Sequence, residues 1–183
     1  MVTTRVEHPA SARVVDALDR AGARVTRLGV DSNGVLRGDE VRTAMDARPT
    51  WLSVLRANNE TGVLQPLVGL SSLAHARDVL LHADASQSAG KVPLSMKEDG
   101  VDLLTLAAHK LYGPKGVGAL VVRRGVSLTP QQLGAGHEHG RRAGTENVAS
   151  IVGFGVACLA AKRDLSELSA KLTRLRERLI NGL

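Results

Sequence analysis

The chain has 183 residues, a formal net charge of +6, 43% hydrophobic and 23% charged residues, the balance of a water-soluble globular protein long enough for one substantial core. No apolar run reaches the ~20 residues that span a bilayer, and aromatic residues at 2% leave almost no stacking platform for single strands, so neither membrane nor nucleic acid is expected as a partner. A single cysteine excludes an internal disulfide framework and points to a reducing, cytoplasmic setting.

In chain order, strands and helices alternate. Val2–Val6 reads as a strand and Ala10–Ala21 as a helix with Val14, Val15 and Leu18 on one face; the start lacks the apolar core of a signal peptide. Arg24–Leu28 is a short strand, "DSNG" at 31–34 a turn and Asp39–Ala47 a short helix. Trp51–Arg56 is a strand, Leu70–Arg77 a helix and Val79–Ala83 a strand. This rhythm predicts an α/β fold, a mainly parallel mixed sheet with helices on both faces.

After Asp102 the rhythm changes. Leu103–Ala107 and Gly118–Arg123 are joined by a loop too short for a helical crossover, so they pair antiparallel or diverge. Glu146–Arg163 and Leu165–Ile180 read as two helices, the second with a stripe of Leu165, Leu168, Leu172, Leu175 and Leu179. Its basic run "KLTRLRER" reads as a solvated helix face. A first strand at the very start and a long helix at the end suggest part of something longer, with 1–163 as the large domain and 164–183 leading toward a smaller one.

Polar residues gather at the strand ends. The first strand ends in Glu7-His8, the Trp51 strand in Asn58-Asn59-Glu60, the Val79 strand in "HADASQS" with Asp84 and Gln87, and the Leu103 strand in His109-Lys110. Singly, each fits a turn or a cap. In a parallel sheet all four clusters share the carboxyl edge, where α/β proteins bind ligands. A lysine at the end of a buried strand is partly desolvated, which frees the neutral amine for Schiff-base chemistry with carbonyl compounds or pyridoxal phosphate. An aspartate on a neighbouring strand end would keep a pyridine nitrogen protonated, a histidine could stack on the ring and an asparagine could bond its hydroxyl. A zinc site drawn from His8, His75, His82, His109, His137 and His139 is the weaker reading, since only His137 and His139 have suitable spacing. Cys158 lies in an apolar helical run and reads as packing.

The segments "VEH", "ANNETGVLQP", "HADASQSAGK", "DLLTLAAHKLYGPKGVGAL" and "GAGHEHGRRAGTEN" resemble, in order and spacing, the NifS/IscS-type cysteine desulfurases. These are pyridoxal-phosphate enzymes of the class V aminotransferase branch with the fold type I large domain, and selenocysteine lyases are close relatives. The resemblance implies that Lys110 carries the cofactor, His8 stacks on its ring, Asp84 partners the pyridine nitrogen and Asn59 and Gln87 contact the ring oxygen. His109 corresponds to a phosphate ligand, and Thr145 to a residue that reaches the phosphate of the neighbouring subunit in a homodimer. Thr145 is also placed to cap a helix starting at Glu146.

The resemblance further implies conversion of L-cysteine to L-alanine, with sulfur left on an enzyme cysteine and passed to an acceptor protein, as in iron–sulfur cluster assembly. Family members often carry a serine where this chain has Ala107. Their N-terminal "TESNN"-like turn, nucleophilic cysteine and substrate-carboxylate arginine have no counterpart here. The rival expectations are a selenocysteine lyase and a truncated, non-catalytic dimerising or scaffold protein.

Overall fold

The structure, a computed structural model, describes residues 1–183. Its elements are β1 (Val2–Thr4), α1 (Pro9–Arg20), β2 (Thr26–Leu28), α2 (Gly38–Asp46), β3 (Trp51–Leu55), α3 (Leu67–His75), β4 (Leu80–Asp84), α4 (Met96–Asp99), β5 (Leu103–Ala107), β6 (Gly118–Val122) and α5 (Val148–Ile180). A 3-10 turn at Ala108–Leu111 and a turn at His137–Gly140, with Glu138 and His139 in the left-handed region, complete the chain. The six strands form one sheet in the order β2-β1-β3-β4-β5-β6. All neighbours are parallel except β5 and β6, which form an antiparallel pair from Leu103↔Val122 to Ala107↔Gly118. No helix is long and apolar enough to cross a membrane.

The central strands are apolar because they are covered. Leu52, Val54, Leu81, Ala83 and Leu104 pack on one face against Val41 and Met45 of α2 and Leu67, Leu70 and Ala74 of α3. The strand order reverses at β1: α1 leads back to β2 and α2 then recrosses to β3. With right-handed crossovers, α1 covers the opposite face. The start of α5 lies against Ala108 and Leu111 through Phe154, Ala157, Cys158 and Ala161. Gly153 makes that docking close, since a Cβ there would meet Pro114 Cγ at 2.7 Å.

Two sequence expectations are corrected. Residues 148–180 form one unbroken α5 rather than two helices; the sequence offers no proline there, and Asp164 is tolerated in mid-helix with Arg163 paired to it at 2.6 Å. Of the expected α1 face only Val15 is buried, while Val14 and Leu18 are exposed. The leucine stripe is likewise unburied from Leu172 onward. A short helix at Met96–Asp99, capped by Ser95, has too few residues to show a period.

The opposite end of the sheet from the carboxyl edge is held by Asp102. Its side chain is 0% exposed and accepts from Leu81 N–H at 2.7 Å, His75 Nε2 at 2.9 Å and Arg123 Nε at 2.5 Å. Burial opposes its charge, and these bonds outweigh burial, leaving the carboxyl below its ordinary value. A depressed carboxyl contributes stability above the unfolded pKa that is lost as pH falls through the folded one. Urea unfolding of Asp102→Asn is expected to show a loss on the order of 2 kcal/mol at neutral pH, narrowing as the wild type is acidified through the carboxylate range.

Candidate functional site

The parallel direction of β1, β3, β4 and β5 brings the carboxyl ends of four strands to one edge, and with them the His8, Asn58-Asn59, Asp84 and His109-Lys110 clusters. At its β1 end this edge is also the point where strand order reverses, the usual ligand position in doubly wound sheets. The β1–β3 ladder is a single pair, Val2↔Leu52. Beyond it side chains lace the strands together. Glu7 Oε1 accepts from Leu55 N–H at 2.9 Å, and Asn58 Nδ2 donates to the Val6 carbonyl at 3.2 Å.

Each candidate residue has a distinct setting. His8 is exposed and N-caps α1, its Nδ1 accepting from Ala10 N–H at 3.1 Å, which leaves Nε2 free. Asn58 is consumed by its turn, accepting from Glu60 and Thr61, whereas Asn59 is exposed without such bonds. Asp84 is 6% exposed; Oδ1 accepts from Ser86 N–H at 2.9 Å, so it braces a turn rather than capping a helix. Gln87 and Lys110 are half-buried and His109 is exposed. The Lys110 turn follows β5 directly and closes on Tyr112 in the left-handed region at φ 62°.

The Asp84 loop is stapled to the Lys110 turn. Lys91 Nζ donates to the Lys110 carbonyl at 3.4 Å. Burial lowers the Lys91 pKa, and the neighbouring charge of Lys110 adds to it. Gly90, at φ +70°, permits this approach because a Cβ would lie 2.5 Å from Leu111 Cδ2.

Behind Asp84 on the same face of the sheet runs a polar row absent from the sequence reading. His82 sits two residues earlier on β4, with Nδ1 2.8 Å from Ser53 Oγ and Nε2 2.8 Å from Thr105 Oγ1. Burial lowers its pKa, with Asp84 opposing. Glu7 was visible only as a strand end. Thr4 of β1 bonds it, but its other neighbours arrive from β3 and β4, beyond the reach of a local pattern.

Thr145 is not brought to this edge by any hydrogen bond. It is exposed, and the cap of α5 is Asn147, which accepts from Ser150 N–H at 3.2 Å. The expected capping role of Thr145 is therefore corrected: the helix starts at Val148, two residues later than the sequence suggests. Cys158 is half-buried in α5, and burial pushes its thiol pKa up. Open depressions lie elsewhere, one around His137, His139 and Glu146 and one around His75, Lys97 and Arg123 at the amino edge. No three His, Cys, Asp or Glu side chains come together to hold a metal.

The family model for class-V aminotransferases matches residues 1–183. The chain belongs to that family. This class-V aminotransferase chain is 45% identical to a cysteine desulfurase of Gluconacetobacter diazotrophicus over its full length, covering 46% of that protein. It is also 45% identical to the cysteine desulfurase IscS of Anaeromyxobacter sp., again over 46% of the relative. Among solved structures, a NifS-like protein superposes with a TM-score of 0.95 at 37% identity, over 99% of this chain and 50% of the other. DndA from Streptomyces lividans superposes at 0.92 and 33% identity, over 100% of this chain and 52% of the other. The chain thus spans about half the length of the relatives it matches. The α/β architecture of the NifS-like large domain is the observed fold.

Because the His82 pKa is lowered, its stabilising effect is present above the unfolded histidine value of ~6.5 and is withdrawn as pH falls through the folded value. Thr105→Val is expected to leave Nε2 unpaired at a cost of about 1–3 kcal/mol, measured by urea unfolding. His82→Gln should flatten the stability change on acidification from near neutral pH.

Proposed function

We propose that this chain is the pyridoxal-phosphate-binding large domain, residues 1–163 with 164–183 leading toward a smaller domain, of an enzyme that converts L-cysteine to L-alanine and passes the sulfur on. The observation that carries the reading is a half-buried lysine, Lys110, with no bond to its amine, on the turn that leaves β5, the strand next to the one that ends in the buried Asp84. The names of the full-length relatives support cysteine as substrate.

The residues present fit the cofactor. Asp84 spends one oxygen on Ser86 and keeps the other, His8 keeps Nε2, and Asn59, Gln87, His109 and Lys110 keep all their side-chain capacity. Unspent polar atoms on one edge are what a polar, anionic ring compound needs. When bound, pyridoxal phosphate supplies an electron sink for negative charge on a carbon beside an amine.

Each residue then has a task. Lys110 Nζ would hold the aldehyde carbon of the cofactor, and its amine is placed to serve as the base toward a substrate Cα proton. Asp84 would keep the ring nitrogen protonated, His8 would stack on the ring, and Asn59 and Gln87 would hydrogen-bond the ring oxygen. His109 would hold the phosphate without a serine at Ala107. The Lys91 bond to the Lys110 carbonyl keeps the lysine turn against the Asp84 loop. Cys158, packed and raised in pKa, is not the sulfur-accepting nucleophile; the resemblance assigns that cysteine to the part of the family beyond this chain.

A homodimer completes the site in this reading. α5 buries one apolar face on the Lys110 turn and exposes another, with Val148, Ile151, Val152, Val156 and Leu159 all open. A helix apolar on both sides is normally covered on both. A second copy seated there would bring its Thr145 toward the cofactor phosphate, with two-fold symmetry making the exchange reciprocal.

Borohydride reduction after pyridoxal phosphate is added should label Lys110 selectively by peptide mass spectrometry. Labels scattered over surface lysines would sink the assignment. Asp84→Asn should weaken cofactor affinity on the order of tenfold or more and alter its absorption spectrum while leaving the melting temperature near the wild type. Sedimentation should give a dimer, and mixing Thr145→Ala with Lys110→Ala chains should restore one complete site per heterodimer. A monomer with full cofactor affinity would refute the shared site.

A further inference from the structure

The turn between β1 and α1 carries His8 and is held by an unusual carboxyl group. Thr4 Oγ1 donates to Glu7 Oε1 at 2.6 Å while accepting from Val6 N–H at 3.2 Å. The same Glu7 Oε1 takes Leu55 N–H from β3, and Leu55 is the register partner of Asp84. One oxygen therefore joins the β1 turn to the end of β3, across the gap where the ladder has already stopped. The other, Oε2, is sealed from solvent with no partner.

We infer that Glu7 is a positioning residue of this site: its carboxyl group latches the His8 turn onto β3 and so sets the gap between His8 and Asp84. The inference deepens the proposed cofactor site and rests on that reading, because His8 and Asp84 are the groups that would contact the ring.

The latch works as a neutral acid. β1 offers Glu7 the Thr4 hydroxyl, β3 offers a backbone amide, and β4 offers Asp84, a like charge. Asn58, from the loop after β3, is neutral and turned to Val6 O. Arg56 is turned to the Gln65 carbonyl, and Arg5 is exposed. α1 presents no charged group to it, and Glu7 has no ion-pair partner. A sealed, unpartnered oxygen is far less costly on a neutral acid than on a carboxylate. Burial, with a smaller push from Asp84 and against the two hydrogen bonds, raises the pKa to about 7. The sign follows: a raised carboxyl is fully favourable below its unfolded value, and the latch weakens as pH rises through about 7.

Glutamine keeps the acceptor for Leu55 and Thr4 but cannot ionise, whereas alanine removes the latch. Two ratios of wild type to Glu7→Gln should be measured near pH 6 and near pH 8.5: pyridoxal phosphate affinity, and the hydrogen-exchange protection of the Leu55 amide. Ratios cancel every other titrating group and the intrinsic pH dependence of exchange. Both are expected to be higher at the lower pH and to fall on the order of threefold to tenfold at the higher, with Glu7→Ala weak throughout. Ratios that stay constant with pH, or a Glu7→Gln as weak as Glu7→Ala, would overturn the latch. If none of the proteins binds pyridoxal phosphate, the cofactor reading falls and the Leu55 exchange ratio alone decides the latch.

Discussion

A parallel sheet must reverse its strand order somewhere to be covered on both faces, and here it does so between β1 and β3. After one paired position the two strands diverge, and main-chain bonding gives way to side-chain bonding. Glu7 and Asn58 span the gap, each donating to or accepting from the other strand's backbone. The rest of the carboxyl edge depends on this divergence. It turns the chain so that His8 leaves at the same edge as Asp84 and Lys110, and it makes a place where burial favours the protonated form of a carboxyl.

The site is supported from behind by polar groups that the sheet could have replaced with leucine. The Ser53–His82–Thr105 row crosses three central strands, and Asp102 joins α3, β4 and the residue after β6. Hydrogen bonds between specific positions fix register and spacing in a way that apolar contacts, which have no direction, do not. Three loops carrying candidate ligands leave strands whose relative positions are fixed by these bonds. The Lys91 staple does the same between two of the loops themselves. Position, rather than an individually unusual residue, is what makes the edge a site.

The outer surface has a different logic. α5 has apolar residues on the face that packs on the Lys110 turn and again on its open face. In the proposed dimer a second copy covers that open face. The segment leading into α5 connects that open face to Thr145, so assembly and cofactor binding share one stretch of chain in the proposed dimer.

Most of the architecture was legible in the sequence because hydrophobic period and turn residues act locally. The strands expected at Trp51–Arg56 and Leu103–Ala107 and the strand-end clusters follow from short patterns. The sequence leaves the runs either side of the Lys110 loop to pair antiparallel or diverge, and the structure pairs them. Local patterns misled where a neighbour decides the outcome. Val14 and Leu18 looked like core but are open, the two expected C-terminal helices are one, and the cap of α5 is Asn147 rather than Thr145. Residue identity was enough to nominate Asp84, Lys110 and His8, since few side chains can serve a pyridine ring. It did not show the part that Glu7, His82 or Lys91 plays, although Glu7 stands out as a strand end and His82 only in the weaker zinc reading. Their character comes from partners 48, 29 and 19 positions away, and only the tertiary fold puts a glutamate beside a foreign amide, a histidine between two hydroxyls and a lysine on another lysine's carbonyl.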